Sequence, residues 1–310
     1  MNTLTDFHDL RLLRSTPEFA TLLGFEESGS EGWHALRNER GAIGGSEVAV
    51  ILGLSPFESP YSLWAKKTGR MDSTPTSDAM EWGNRLEQAI LQKFSDGRDG
   101  EVFSNCGTWG KRGFEYERAN PDGLWLTPEG EWVLVEIKTA RDEAFWKDEN
   151  GALVVPPHYM AQVQWYLSVL DLERAVVAVL FSGSRYLEFE IKADEFEQRL
   201  AMAEAQKFHE LLMGEEEPPL TAPWLSTYEA VRYKHSEINA EDEIEIGHVG
   251  ELYQKHSLEY ADSTAEMDKL KTQVLDAMGN ARRGLVNGVW VFSRQARKGG
   301  LPYLVAKRQA

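Results

Sequence analysis

The chain has 310 residues, 42% of them hydrophobic and 27% charged, with a formal net charge of −17 and a single cysteine, Cys106. Such a composition belongs to a globular protein with enough apolar material for a real core, and one cysteine excludes a disulfide framework and any four-cysteine zinc or iron–sulfur site supplied by one chain. No apolar run approaches the roughly 20 residues of a membrane span, and "MNTLTDFHDL" lacks a signal peptide's basic start and apolar centre, so a cytoplasmic protein with no membrane partner is expected.

Along the chain, "GWHALRNERGAIGGSEVAVILGL" reads as a short helix, a glycine turn and a second helix starting near Ser46. Residues 55–69, "SPFESPYSLWAKKTG", predict a turn and another helix. In "SDAMEWGNRLEQAILQKFSDG" the apolar residues Met80, Leu86, Ile90, Leu91 and Phe94 fall at the spacing of an amphipathic helix, and a glycine after them supplies the stop. Three strands follow, over 102–108, over 114–118 with 124–126, and over 132–139. Residues 159–170 are predicted helical, 175–181 a strand, 186–191 its hairpin partner, and 194–213 a long helix.

The acidic stretch "GEEEPPL" then breaks the pattern. Beyond it, 251–278 reads as one helix closed by Gly279-Asn280, and "LVNGVWVFSRQ" sets Asn287-Gly288 between β-prone runs, a hairpin signal. Charge is uneven here: 214–270 holds fourteen acids against four bases, and 271–310 holds eight bases against one acid. Overall the chain reads as an α/β body over 1–235 and a helix-plus-hairpin extension over 236–310. The extension either packs on the body as structure or serves assembly or partner binding. An acidic surface with a local basic groove allows DNA contact confined to a site and disfavours loose coating of DNA.

The segment "NPDGLWLTPEGEWVLVEIKTA" carries the chemistry. Alternate residues of a strand share a face, so Glu136 and Lys138 point one way and Ile137 the other. One reading is a salt bridge on an edge strand, worth a fraction of a kcal/mol. The other adds Asp122, held by the turn at the entry to the strand pair, so that two carboxylates converge. Crowded carboxylates repel unless a cation lies between them, and Mg²⁺ suits a few oxygen ligands with retained waters. A lysine beside such a site holds or deprotonates an attacking water, or stabilises charge on a phosphate.

Pro121-Asp122 followed by Glu136-Ile137-Lys138 resembles the PD-(D/E)XK nuclease superfamily. More narrowly, "WHALRNERGAIGGSEVAVILGLSPFESPYSLWAKKTG", "EWGNRLEQAI", "NPDGLWL", "VEIKTA" and "HYMAQVQWYLSVLDLERAVVAVL" are similar, in family order, to the YqaJ-type phage recombination exonucleases, relatives of lambda exonuclease. The similarity covers roughly residues 30–210. It implies a restriction-endonuclease-like α/β core, a central mixed β-sheet flanked by helices, with the C-terminal helix and β-hairpin as an appendage.

Position by position, the resemblance implies that Asp122 and Glu136 hold the metal together with the backbone carbonyl of Ile137, and that Lys138 is the catalytic lysine. It makes Glu87, in "GNRLEQ", the helix acid that completes the metal site. Gln162 and Tyr159, three residues apart on one helix face, would orient water or phosphate and touch substrate, whereas Gln164 points elsewhere. Ser46 and an upstream arginine, Arg37 or Arg40, would hold phosphate at a DNA end; an ordinary helix cap is the other reading of the serine. The tryptophans are assigned to packing and none to DNA, and His158 is left outside the site. The implied function is a Mg²⁺-dependent exonuclease, with Mn²⁺ able to substitute, that resects the 5′-ended strand of linear double-stranded DNA. Its product would serve a single-strand annealing protein, and a ring-shaped homo-oligomer, first a trimer, is expected in the bacterial cytoplasm. An endonuclease or repair nuclease on the same core, and a DNA-end binding accessory protein without catalysis, are the alternatives.

Overall fold

The computed structural model describes residues 4–7, 20–26, 30–75, 77–220, 224–259, 264–297 and 300–306; the side chains of residues 33, 34, 37, 38, 40, 257–259, 264 and 265 lie outside that description. The N-terminal part forms β1 (Thr5–Asp6), β2 (Ala20–Gly24), α1 (Glu31–Asn38), α2 (Gly45–Ile51), α3 (Pro60–Lys67) and α4 (Asp78–Asp96). Then come β3 (Glu101–Ser104), β4 (Thr108–Lys111), β5 (Phe114–Ala119), β6 (Gly123–Leu126) and β7 (Trp132–Ala140). The helix α5 (Pro157–Leu170) leads to β8 (Arg174–Phe181), β9 (Arg185–Lys192) and α6 (Glu195–Met213). The C-terminal part holds α7 (Leu225–Lys234), β10 (Asn239–Glu245), α8 (His248–Glu259), α9 (Thr264–Met278), β11 (Ala281–Val286), β12 (Val289–Gln295) and β13 (Tyr303–Ala306).

These elements divide into two compact units, residues 1–54 with 74–213, and 55–73 with 214–310. In the first, the order β1-β3-β6-β7-β8-β9 makes a six-stranded mixed sheet. Neighbours β6 and β7 are antiparallel and β7 and β8 parallel, so α5 is the crossover that a parallel pair requires. Val133, Val135 and Ile137 of β7 face α4, where Ile90, Leu91 and Phe94 close one apolar layer. Helix α5 is buried continuously from Ala161 to Leu170, which fits a helix enclosed on every side rather than one with a wet face. The architecture is α/β, a mixed sheet flanked by helices, as the sequence predicts.

Two predicted strands divide differently. The run over 102–108 breaks into β3 and β4, which enter separate sheets, because Asn105 and Gly107 take left-handed φ of 52° and 73°. Gly107 leaves no room for a side chain, since a Cβ there would lie 2.7 Å from the Gly24 carbonyl. Likewise β5 pairs with β4 in the three-stranded sheet β2-β4-β5, while β6 returns to the main sheet after "NPDG". One turn of sequence thus switches the chain between sheets.

The parting line between the units falls after Met213, at the start of the acidic breaker-rich stretch, and not near residue 235. Helix α7 packs on α9 and α3, which draws both flanking segments into the second unit. The single helix predicted over 251–278 is two helices, α8 and α9, packed together. The Asn287-Gly288 hairpin is present: β11 and β12 are antiparallel, and the two turn residues have φ of 52° and 74°, the mirror-image turn that matches strand twist. The hairpin belongs to a sheet β10-β11-β12-β13 whose first strand the sequence did not announce. Among the described residues no helix is long and apolar enough to cross a membrane.

Candidate active site

The site lies where β7 outruns β6. Pairing between them stops at Gly123 opposite Val135, whereas β8 follows β7 as far as Ala140. From Glu136 onward, β7 therefore has an open edge in the middle of the sheet. The Ile137 N–H at this edge donates to Asp122 Oδ2 at 2.7 Å. In a strand the N–H and C=O of one residue point to the same side, so the Ile137 carbonyl faces the opening too.

Strand alternation delivers the other groups. Glu136 and Lys138 face away from α4, toward α5 and Gln162. Glu136 is 1% exposed, and its Oε1 accepts from Lys138 Nζ at 2.5 Å and from Gln162 Nε2 at 2.6 Å. Gln162 Oε1 accepts a second bond from Lys138 at 3.2 Å, which closes a triangle of glutamate, lysine and glutamine. The ammonium also sits over the Tyr159 ring, 4.9 Å from its centroid. Behind Tyr159 stands Trp146, buried, at 5.6 Å between ring centroids. Glu87 reaches the cluster from α4, on the other face of the sheet.

Electrostatics tie the acids together. Burial, then Asp122, pushes the Glu136 carboxyl up to about 8, against the pull of Lys138. Glu87 is likewise pushed up to about 8, by burial and then by Asp122 and Glu136. Asp122 is raised by burial, opposed by Lys138 and by the Ile137 N–H. Burial works to lower the Lys138 ammonium, but Glu136 and Asp122 outweigh it and hold it above its ordinary value. Three carboxyl groups that resist ionising together are a site short of positive charge.

The chemistry of the donors fits a hard divalent cation. All are oxygens, and Glu136 Oε2 is a buried acceptor with no hydrogen-bond partner among the described residues. Among those residues, no three Asp, Glu, His or Cys side chains already close around one point. Lys138 lies on the carboxylate instead, so cation binding calls for side-chain rotation within the cluster.

The structure thus brings Asp122, Glu136, Lys138, Gln162, Tyr159 and Glu87 to one place. Gln164 turns away, bonding the Lys192 carbonyl at 2.8 Å and the Asp194 N–H at 2.9 Å. Helix α2 begins one residue earlier than predicted, at Gly45 with Gly44 as N-cap, so Ser46 is its exposed second residue and not the cap. Glu47 closes that end, its Oε2 accepting from the Gly44 N–H at 2.8 Å. Arg37 and Arg40 have side chains outside the described set. Trp64 and Trp165 are core residues at 1% and 0% exposure, as assigned, whereas Trp82 is exposed. Sequence reading missed Trp146, for which no spacing signal exists, and Tyr166, whose hydroxyl stands 3.5 Å from Gln162 Nε2. The one clue to Tyr166 was its place four residues after Gln162 on the same helix. His158, left out of the site, is half-buried against Tyr159, its ring lowered in pKa by burial and by Lys138.

A mixed sheet with an acid before one strand and an E-x-K triplet at the end of the next is the arrangement on which the resemblance to the PD-(D/E)XK nucleases rests. Residues 32–173 match the YqaJ-like viral recombinase domain. The chain is 28% identical over 261 residues to the uncharacterized protein YqaJ of Bacillus subtilis (strain 168), covering 81% of this chain and 79% of that one. A protein of African swine fever virus is 30% identical over 161 residues, 44% of each chain. Among solved structures, an alkaline exonuclease of Laribacter hongkongensis superposes on 59% of this chain and 93% of its own, with 20% identity and a TM-score of 0.48.

Proposed function

We propose that this protein is a Mg²⁺-dependent exonuclease that hydrolyses phosphodiester bonds at the ends of linear double-stranded DNA. The observation that carries the reading is the open edge of β7, where three mutually repelling carboxyl groups, an orphaned Glu136 oxygen and a Lys138–Gln162 pair converge. Asp122, Glu136, Glu87 and the Ile137 carbonyl would hold the cation. When bound, it would lower the pKa of an attacking water and polarise the phosphoryl oxygen. Lys138 brings a fixed positive charge to the non-bridging oxygens of the phosphate as negative charge builds on them. Gln162, anchored on Glu136, accepts a second bond from Lys138 and would orient a water or phosphate oxygen. Tyr159 walls the lysine on its open side and meets the substrate.

The finer points belong to the same reading: Mn²⁺ substitutes for Mg²⁺, and the 5′-ended strand is removed, leaving single-stranded DNA for an annealing protein. Ser46 and Arg37 or Arg40 hold the terminal phosphate. A closed ring, first a trimer, surrounds the duplex, and the extension over 236–310 serves assembly or partner binding. Catalysis is favoured over mere end binding because every group the chemistry needs is present.

The test is digestion of end-labelled linear duplex beside closed circular DNA, with Mg²⁺ and with chelator. Release of labelled nucleotides from linear DNA only, abolished by chelator and by Glu136→Ala, is expected. Cutting of closed circles refutes end-dependence in favour of an endonuclease, and unchanged activity in Glu136→Ala refutes the site. Light scattering that finds only monomer at working concentration refutes the ring.

A further inference from the structure

Gly45 is helical and not left-handed, so backbone freedom does not explain it, and in a helix glycine is a poorer choice than alanine. Space explains it. A Cβ built at this position would lie 2.5 Å from Tyr166 Cε1, 3.0 Å from its Cδ1 and 3.0 Å from Gln162 Cγ. Both neighbours are themselves confined, Tyr166 at 6% and Gln162 at 8% exposure, so neither has open solvent into which to recoil. The contact joins the first turn of α2, next to Ser46, directly to the side chain that bridges Glu136 and Lys138.

We propose that Gly45 is a positioning residue for the metal site: its missing side chain lets α2 seat on α5 and holds Gln162 at the angle from which it bonds Glu136 Oε1 and Lys138. The chain of contact is short. Tyr166 and Gln162 occupy one face of α5, four residues apart, with the Tyr166 hydroxyl 3.5 Å from Gln162 Nε2. Crowding at position 45 pushes on the ring and on the glutamine stem together. The amide at the end of that stem is the only group that bonds both Glu136 Oε1 and Lys138 Nζ among the described residues. The proposal rests on the hydrolytic reading of the site for its kinetic consequence, but not for its geometry.

The experiment uses the full chain with Gly45→Ala, Tyr166→Leu and both together. A methyl group at 2.5 Å must displace its neighbours by on the order of 1 Å to reach ordinary contact, and a misplacement of that size costs about 100-fold in rate. Gly45→Ala is therefore expected to lower kcat about 100-fold with KM for duplex DNA changed less than about threefold, circular dichroism staying as in the parent. Opening space with Tyr166→Leu should make the alanine nearly silent, so that adding it to that background changes kcat less than about threefold, a strongly non-additive cycle. A readout independent of turnover is the ¹H–¹⁵N signal of the Gln162 side-chain amide, assigned by its loss in Gln162→Met. It should move in Gly45→Ala and return toward the parent position in the double variant. A parent-like rate, or a Gln162 amide that does not move, overturns the proposal. If the parent chain shows no metal-dependent hydrolysis, the nuclease reading fails, and the amide signal alone still decides for or against the positioning role. Should Gly45→Ala not fold, folding of the double variant supports the contact and its failure to fold overturns it.

Discussion

Replacing Glu136 by glutamine is expected to abolish hydrolysis and yet stabilise the chelator-treated protein at alkaline pH. The carboxyl is pushed from an ordinary 4.5 up to about 8, so folding prefers its protonated form. Between those two values the folded state binds more protons than the unfolded state, and stability falls as pH rises through the window. By pH 9 the accumulated loss is on the order of 4–5 kcal/mol, with the favourable pull of Lys138 already contained in the raised value. Glutamine, neutral throughout, escapes that loss. The gain is therefore about 4 kcal/mol at pH 9 and near zero at pH 5, where glutamate is already protonated in the folded protein. Thermal unfolding of both proteins in chelator, from pH 5 to 9, reads this as a Tm difference that opens with pH to about 10 °C. A Tm difference that stays flat across the range, or glutamine that destabilises more at pH 9 than at pH 5, would refute the account of the site as starved of positive charge.

Three further outcomes follow from the same geometry. Added Mg²⁺ should raise the Tm of the parent chain more at pH 8.5 than at pH 6, because the cation displaces protons from Glu136 and Glu87, both raised to about 8; an equal rise at both pH values contradicts this. Asp122→Asn keeps an oxygen for the Ile137 N–H, so the fold should stand while Mg²⁺ affinity by isothermal titration drops at least tenfold; loss of folding instead would assign Asp122 a structural role. Removing residues 236–310 strips α7 of its partner α9 and uncovers Tyr228 and Val231, so the truncated chain should aggregate or bind hydrophobic dye, measured by light scattering and dye fluorescence, unless residues 214–235 and α3 are removed as well.

Much of this site was written locally. The E-x-K triplet at the end of an apolar run and the acid in "NPDG" can be read from neighbours a few residues away, because strand alternation is a local rule, whereas the roles of the glutamate in "GNRLEQ" and the glutamine of "HYMAQVQ" came from the family resemblance alone. Helices and strands of the body also emerged from periodicity, with the hairpin at Asn287-Gly288 given by its turn residues alone. Errors fell where distant contacts decide. The division of 102–108 between two sheets depends on the approach of Gly24 to Gly107, and the break within 251–278 on the packing of α8 against α9. The unit boundary depends on α3 and α7 finding each other across more than 150 residues of chain.

By itself, then, the sequence determined which residue types meet and on which face of its own element each one lies. The tertiary structure alone decided that β6 stops one residue short of Glu136, that this opens an edge in mid-sheet, and that acids from both faces reach it. It also decided that Gly45, which read as part of a glycine turn before the helix, is small because Tyr166 and Gln162 fill the space a side chain would need. Periodicity is a property of one element and can be read along the chain. An opening in a sheet and the clearance between two helices are differences between elements, and they exist only once the chain has folded.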